Sequence, residues 1–514
     1  MSTYEPRRLR AILVAVCVAL MAVIASVSGL NVAQPELAVE LDAAQSTILW
    51  IINVYTLTLA ALLLPLGAIG DRWGRRRMLI AGLAVFGAAS AAAALAPTAG
   101  MLLAARLASG VGAAMIMPIT LAVITSTFPA QERGRAIGVW TGVAGGGGIL
   151  GMFLSAALVD VATWRWSFVL PLALVVVALV MTVRSVPDSR ERHGHRFDGV
   201  GAVASVVAVA GLIFALQEGP VRGWAAPEIL AALAAGLVAA AGFVAWELRR
   251  REASLLDVRL FRERGLAGGS VTLLAVFGVQ AGIFVVLFPF LQAVLGWTAL
   301  LSTVALMPMA VLMMLSSGLA ARLAARVGPR ATMATGILLA GAGLALMASI
   351  VSVSGGYLSV LPGMLAMGAG MGVSMTPATE VITAALPRER QGVASALNDV
   401  TREFGTALGV ALLGALLSAG YRDAVGARLS GVPDEVAGRA REGVATAIDA
   451  AGPYAGKVVL VTRESFVAGW QQAMWAGVAV MAVLFLYVLA RGPERPEATG
   501  EDRDGREPAH ATAS

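Results

Sequence analysis

Gly67-Ala-Ile-Gly-Asp71-Arg72-Trp-Gly74-Arg75-Arg76-Arg77 is a short turn packed with arginine between two uncharged runs, 50–69 and 78–95. Each run is long enough to cross a hydrocarbon core, which takes roughly 17–25 helical residues. A short connection carrying so many arginines marks a cytoplasmic loop. The turn therefore sets both the class of the protein and its orientation.

Composition agrees. The chain is 58% hydrophobic and only 14% charged, with a mean hydropathy of +0.80, against about 25% charged residues in a soluble domain. The net charge of +6 does not indicate nucleic acid, because the arginines sit in short turns between apolar segments and not on one basic face. The lone cysteine, Cys17, lies in an apolar run and reads as a small buried or lipid-facing residue. No cleavable signal peptide is expected, since the first apolar run flows into further spanners.

Fourteen apolar segments follow one another between residues 11 and 490, and strand-type alternation is absent, so the chain reads as an all-α polytopic membrane protein. One set of alternate connections holds Arg72, Arg75, Arg76 and Arg77, then Arg133 and Arg135, Arg184 to Arg196, Arg249 to Arg251, Arg322 to Arg330, and Arg388 and Arg390. Arg7, Arg8 and Arg10 precede the first segment, and the opposite short loops hold little beyond Arg165 and Arg222. This asymmetry puts both termini in the cytoplasm of a multi-pass protein of the cell membrane. The expected divisions are a cytoplasmic N-terminus over 1–10, a first six-helix half over 11–183, two extra helices over 199–246, a second six-helix half over 268–490 with an exterior loop near 418–466, and a disordered tail over 491–514.

The division into halves rests on a repeat. Gly110, Gly112, Val123, Ile124, Thr125, Pro129, Gly134 and Ala136 recur in order and spacing as Gly368, Gly370, Val381, Ile382, Thr383, Pro387, Gly392 and Ala394. The opening turn has a weaker echo, in which Arg72, Gly74 and Arg76 match Arg326, Gly328 and Arg330, while Asp71 faces Ala325. Both copies sit on helices running the same way, so the repeat is parallel, as in transporters built from two six-helix halves.

On these residues the chain resembles the major facilitator superfamily, in particular its fourteen-spanner drug:proton antiporter branch. The opening turn is similar to the signature loop between the second and third helices, and Leu103-x-x-Arg106-x-x-x-Gly110-x-Gly112 to the fourth-helix motif. Trp164-Arg165-Trp166-Ser-Phe168, Leu255-Leu-Asp257-x-x-Leu260-Phe261-Arg262, and Ser395-Ala-Leu-Asn398 with Arg402 and Gly405 resemble further segments of that branch. The resemblance implies a major facilitator fold of two six-helix halves plus two extra central helices. Three positions depart from it: Ser26 stands where an acid is usual, the fifth-helix proline and its following glycines give way to Gly145–Gly148, and Glu403 replaces a glutamine.

The same resemblance implies a conformational latch around Gly67, Asp71, Arg72, Gly74, Arg75 and Arg77, with Asp71 expected to meet the start of the thirteenth helix near Gly392 and Arg133 or Arg135. The alternative is that these arginines only enforce topology. Arg106, a charge inside a spanner, either takes part in proton or charge coupling or snorkels to the outer interface. Asp399, Arg402 and Glu403 share one arc of the thirteenth helix, and read either as a proton-coupling group or as a structural ion pair. Glu380 reads as part of a solvated face. Candidate substrate-lining residues are Gln34, Asn53, Tyr55, Trp140, Gln280, Phe284, Phe288, Met307, Met313 and Asn398, with flexible thioethers suited to varied apolar ligands.

The expected function is efflux of small amphipathic or lipophilic compounds, drugs or antibiotics, by alternating access, driven by proton antiport. A lipid or metabolite transporter of the same fold without proton exchange is the alternative, and a non-transporting sensor is a remoter one. No nucleotide-binding loop of the form Gly-x-x-x-x-Gly-Lys-Ser/Thr is present, which argues against ATP. No cofactor or metal is expected, since His193 and His195 lack further ligands.

Overall fold

The computed structural model describes residues 5–189, 197–250, 254–429, 433–442 and 455–493. The charged loop with Arg190, Arg192, Arg196, His193 and His195, and the tail from 494, lie outside the described residues. In chain order the helices are α1 (Pro6–Glu40), α2 (Gln45–Trp73), α3 (Arg75–Ala94), α4 (Ala99–Thr127), α5 (Ala130–Val161), α6 (Trp166–Ser185), α7 (Gly199–Arg222) and α8 (Pro227–Arg250). After a 3-10 turn (Val258–Arg262) come α9 (Arg264–Pro289), α10 (Ala299–Val327), α11 (Pro329–Ile350), α12 (Gly356–Ala384), α13 (Gln391–Arg428), the short α14 (Asp434–Glu442) and α15 (Ala455–Arg491). Among the described residues 14 helices are long and apolar enough to cross a membrane.

These segments are helical because lipid offers no partner for a backbone N–H or C=O, so each must be satisfied within its own segment. Side-chain caps start several of them: Thr98 accepts from the Met101 N–H at the head of α4, and Thr298 from the Leu301 N–H at the head of α10. Large apolar side chains on the rim, such as Val177, Val238, Leu315 and Val483, are exposed. In water such a band would be costly; against acyl chains it is matched.

Two six-helix halves, α1–α6 and α9–α13 with α15, flank the α7–α8 pair. Within this frame α7 packs against α2 and α13, and α8 packs on α7. The repeat seen in the sequence has a structural counterpart. Gly74 (φ +113°) separates α2 from α3, and Gly328 (φ +91°) separates α10 from α11. Both sit in the left-handed region that disfavours a side chain, so the two turns are the same device used twice.

Three helices run further than hydropathy suggests. α1 continues to Glu40, α13 to Arg428, and α15 begins at Ala455, which takes 418–428 and 455–466 of the expected 418–466 loop into helix. The extensions pack against protein: the Tyr421 hydroxyl donates to the Ala440 carbonyl (2.7 Å), and Arg428 pairs with Glu464 (3.6 Å). Hydropathy marks where a helix meets lipid, not where its hydrogen bonds end.

Candidate functional site

The arginine-rich end of the bundle is where the halves are tied. Asp71, on the last turn of α2, is 2% exposed. Its carboxylate accepts the Gly392 N–H (2.9 Å to Oδ1, 2.8 Å to Oδ2) and the Val393 N–H (3.2 Å). These donors belong to the first turn of α13, where backbone N–H groups have no partner in their own helix. Asp71 is thus a helix cap supplied by the other half, at the positive end of the α13 dipole. Arg75 donates to Asp71 Oδ1 through Nε (3.0 Å) and Nη2 (2.8 Å), and Nη2 also reaches the carbonyls of Arg388 (2.9 Å) and Glu389 (3.2 Å). A carboxylate and a guanidinium on one half therefore hold four backbone groups on the other, the carbonyls of Arg388 and Glu389 and the N–H groups of Gly392 and Val393.

This approach needs glycine on both sides. A Cβ on Gly392 would lie 2.4 Å from the Gly67 carbonyl oxygen, and one on Gly67 would lie 2.6 Å from the Gly392 carbonyl oxygen. Further along the seam the Ser317 hydroxyl donates to the Gly138 carbonyl (2.7 Å), joining α10 to α5.

The other arginines of the turn do different work. Arg72 stacks over the Phe197 ring at 5.6 Å, and Arg77 faces Asp188 at 4.0 Å in an exposed pair of little energetic weight. The expected contact of Asp71 with Arg133 or Arg135 is not made. Both arginines ride on the start of α5: Arg133 is within electrostatic reach of Glu380, and Arg135 lines a cavity shared with Pro6 and Arg10 of α1. Asp71 is already saturated by Arg75 and the α13 amides. Glu380 is not a solvated face either; it is half-buried, with its carboxylate 3.2 Å from where a Gly134 Cβ would sit.

At the centre, α5, α9, α10 and α13 converge. Arg402 (7% exposed) pairs with the fully buried Asp399 at 3.4 Å, and its guanidinium lies over the rings of Phe277 (4.4 Å) and Trp140 (5.6 Å). Trp140 comes from the first half and donates to the Thr120 hydroxyl (3.0 Å), so this charge group sits on the seam. Asn398 donates to Asp399 Oδ1 (3.3 Å), and Gln280 reaches the Met313 sulfur (3.9 Å). Asp399 Oδ2, Arg402 Nε, Asn398 Oδ1 and Gln280 Oε1 are buried without a protein partner. Glu403, half-buried, is on the same arc and lies within electrostatic reach of Tyr55 across on α2. Buried polar atoms left over at a seam between the two halves are equipped to take a proton or a polar ligand group.

Arg106 forms a second centre. It is 0% exposed, so it does not snorkel. Its Nη1 donates to Ser26 Oγ (2.9 Å) and its Nε to the Ile51 carbonyl (3.3 Å), while the Tyr55 ring lies 4.2 Å away. Tyr55 in turn donates to the Val23 carbonyl (3.1 Å). No carboxylate among the described residues pairs with this guanidinium.

Of the substrate-lining candidates, Trp140, Gln280, Met313 and Asn398 belong to the central group, and Tyr55 lies between it and Arg106. Phe284, Phe288 and Met307 are partly buried against the core. The side chain of Gln34 lies outside the described residues. Asn53 is directed elsewhere: its amide donates to Glu218 Oε1 (3.2 Å) on α7, tying the extra pair to α2. Glu218 (7% exposed), also bonded by Arg222 (2.7 Å), is a buried carboxylate that sequence reasoning passed over by ending the seventh segment one residue early. A single acid inside an apolar run was the available signal. Phe277, the nearer ring under Arg402, carried no signal of its own.

The sequence matches the Major Facilitator Superfamily over residues 16–410. It is 31% identical to the multidrug resistance protein Stp of Mycobacterium tuberculosis (strain CDC 1551 / Oshkosh) over 497 residues, covering 94% of this chain and 92% of that protein. It is 32% identical to the multidrug efflux pump LfrA of Mycolicibacterium smegmatis, covering 88% of each. With the tetracenomycin C resistance and export protein of Streptomyces glaucescens it shares 31% over 503 residues, 95% of this chain and 93% of that one. Among solved structures, the proton:xylose symporter XylE superposes with a TM-score of 0.59 at 14% identity, over 96% of this chain and 97% of that one. The human organic anion transporter MFSD10 gives the same TM-score and identity over 94% and 100%. At that identity the superpositions speak to the fold.

Proposed function

The chain belongs to the Major Facilitator Superfamily, and from that premise we propose that it is a secondary-active exporter of amphipathic or lipophilic compounds, working by alternating access and driven by proton influx. It sits in the cell membrane with both termini in the cytoplasm, as the arginine asymmetry requires. The observation that carries the reading is the tie between halves at one end, Asp71 and Arg75 on 388–393, next to a buried charge group on the seam. A tie made largely to backbone amides of the opposite half can be released as a unit, and so serves as a latch on a rocking machine. Its place at the arginine-rich end makes this the state shut toward the cytoplasm. Asp399 and Glu403, flanking Arg402, are the proton-carrying groups, and the buried group of Trp140, Phe277, Gln280, Met313 and Asn398 is the part of the seam that takes substrate when the halves part. Multidrug and antibiotic export by the relatives supports the substrate class.

Transport in vesicles with an imposed pH gradient tests this, comparing the native chain with Glu403→Gln, Asp399→Asn and Arg106→Ala. Gradient-dependent uptake that is lost in the first two variants is expected. Uptake indifferent to collapse of the gradient sinks proton antiport.

A second reading rests on Ser26. With no acid facing Arg106, the first half lacks a carboxylate that could exchange a proton there, which favours uniport-like movement of a neutral or anionic compound. Under that reading Glu403→Gln leaves transport unchanged.

A further inference from the structure

At the arginine-rich end a crevice of about 570 Å3 opens beside the extra helix pair. Its walls are apolar and come from three bodies: Leu64 of α2 in the first half, Val209 and Phe243 of the α7–α8 pair, and Phe404 of α13 in the second half. Arg259 and Arg262, on the 3-10 turn that leads into α9, line its mouth. Both are exposed. Arg259 spends one Nη2 hydrogen bond on the Leu248 carbonyl (2.8 Å). Among the described residues neither guanidinium makes an ion pair with a carboxylate. The turn has two acids of its own. Asp257 accepts the Arg259 backbone N–H (3.0 Å), and neither it nor Glu263 lines the crevice.

The volume falls within the roughly 300–1,000 Å3 of small-molecule sites. An apolar trough beside lipid-facing helices is not filled by water, and two arginines at its mouth sit at headgroup level on the arginine-rich side. Guanidinium groups match phosphate through parallel N–H donors, and basic pockets between spanning helices on this face hold anionic headgroups. The geometry points to a binding site for one anionic phospholipid of the leaflet at the arginine-rich end, its phosphate on Arg259 and Arg262 and an acyl chain in the trough. The occupant touches both halves and the extra pair at once, so it bridges the parts that move. This gives the Leu255–Arg262 segment, which the latch and the central group leave unused, a job.

The test is lipid retention by the full chain, measured by native mass spectrometry after exposure to equal amounts of phosphatidylglycerol and phosphatidylcholine with identical acyl chains. The expected result is one retained phosphatidylglycerol, preferred about thirtyfold, the size that two arginines near an anionic surface give. Arg259→Gln with Arg262→Gln brings the preference to within about twofold, and Ala240→Phe, which fills the trough with the arginines intact, lowers retention of the adduct. Arg322→Gln, on α10 away from the crevice, leaves both unchanged. Equal retention of the two lipids by the native chain, an unaltered preference in the double variant, or an equal loss with Arg322→Gln would each overturn the proposal.

Discussion

Replacing Asp71 by asparagine removes the charge while keeping the shape, and the structure says what that costs and in which state. The Asp71–Arg75 pair lies within one half and stays together whether or not the halves part. What is lost only in the tied state is the set of bonds from the Gly392 and Val393 N–H groups to the carboxylate, at 2.8–3.2 Å. A hydrogen bond to a charged group contributes about 1.5–3 kcal/mol. Two such donors give about 3 kcal/mol at the low end, a shift of about 150-fold toward the untied state. The asparagine Oδ1 can still accept as a neutral group, but its NH2 replaces the other oxygen and faces only donors, so one backbone N–H is left unpaired against it. Spin labels on Gln131→Cys (α5) and Arg322→Cys (α10), in a Cys17→Ser background, report the separation of the halves at this end by pulsed electron resonance. Asp71→Asn should lower the ratio of short to long distances by about two orders of magnitude. A ratio within a few-fold of the parent would refute the assignment of Asp71 as the tie between halves.

Other outcomes follow from the same geometry. Gly392→Ala puts a methyl 2.4 Å from the Gly67 carbonyl oxygen and should open the same label pair by about 1–3 kcal/mol, with unchanged distances counting against the close approach. Ser26→Asp places a carboxylate where Oγ now sits, 2.9 Å from Arg106 Nη1. Since an unpaired buried charge costs about 3–5 kcal/mol, the purified variant should melt at a higher temperature, and a lower one would mean the guanidinium is already compensated. At the opposite end, the Arg165 guanidinium and then the Trp164 indole hold the Glu40 carboxyl below its ordinary value of 4.5. The folded-state value is depressed, so the contribution is present above the unfolded value and fades as pH falls through the folded one. The difference in melting temperature between the native chain and Glu40→Gln should therefore be flat from neutral pH down toward 5 and vanish below 4.5; a difference that grows on acidification would reverse the sign.

Much of the fold was legible because membrane helices announce themselves by length and apolarity, and the repeat of 110–136 at 368–394, with the weaker echo of the turn at 326–330, marked the two halves. Asp71 and Gly392 could be paired from motif alone. Arg75 could be placed in the turn, but its partners are carbonyl oxygens of Arg388 and Glu389, which leave no trace in side-chain identity. The same limit explains Asn53, which looked like a pore residue until Glu218 of α7 stood opposite it. Gly145–Gly148 read as a departure from a family motif. In space Gly145 and Gly146 face Met313 and Met314 of α10, and Gly147 and Gly148 face Met21 and Ile24 of α1. The run lets α5 squeeze between a helix of its own half and one of the other, as small residues do where membrane helices come close. Which helices would flank it is a property of the assembled bundle.

The central claim is that substrate and protons move against each other through one seam. Purified protein in vesicles carrying an internal pH-sensitive dye, with no pH gradient imposed, isolates it. Addition of a lipophilic fluorescent compound to one side should drive a counter-movement of protons from the other, in proportion to the compound transported, and Glu403→Gln together with Asp399→Asn should abolish that proton signal. Transport of the compound with no accompanying proton movement in the native chain would contradict the account.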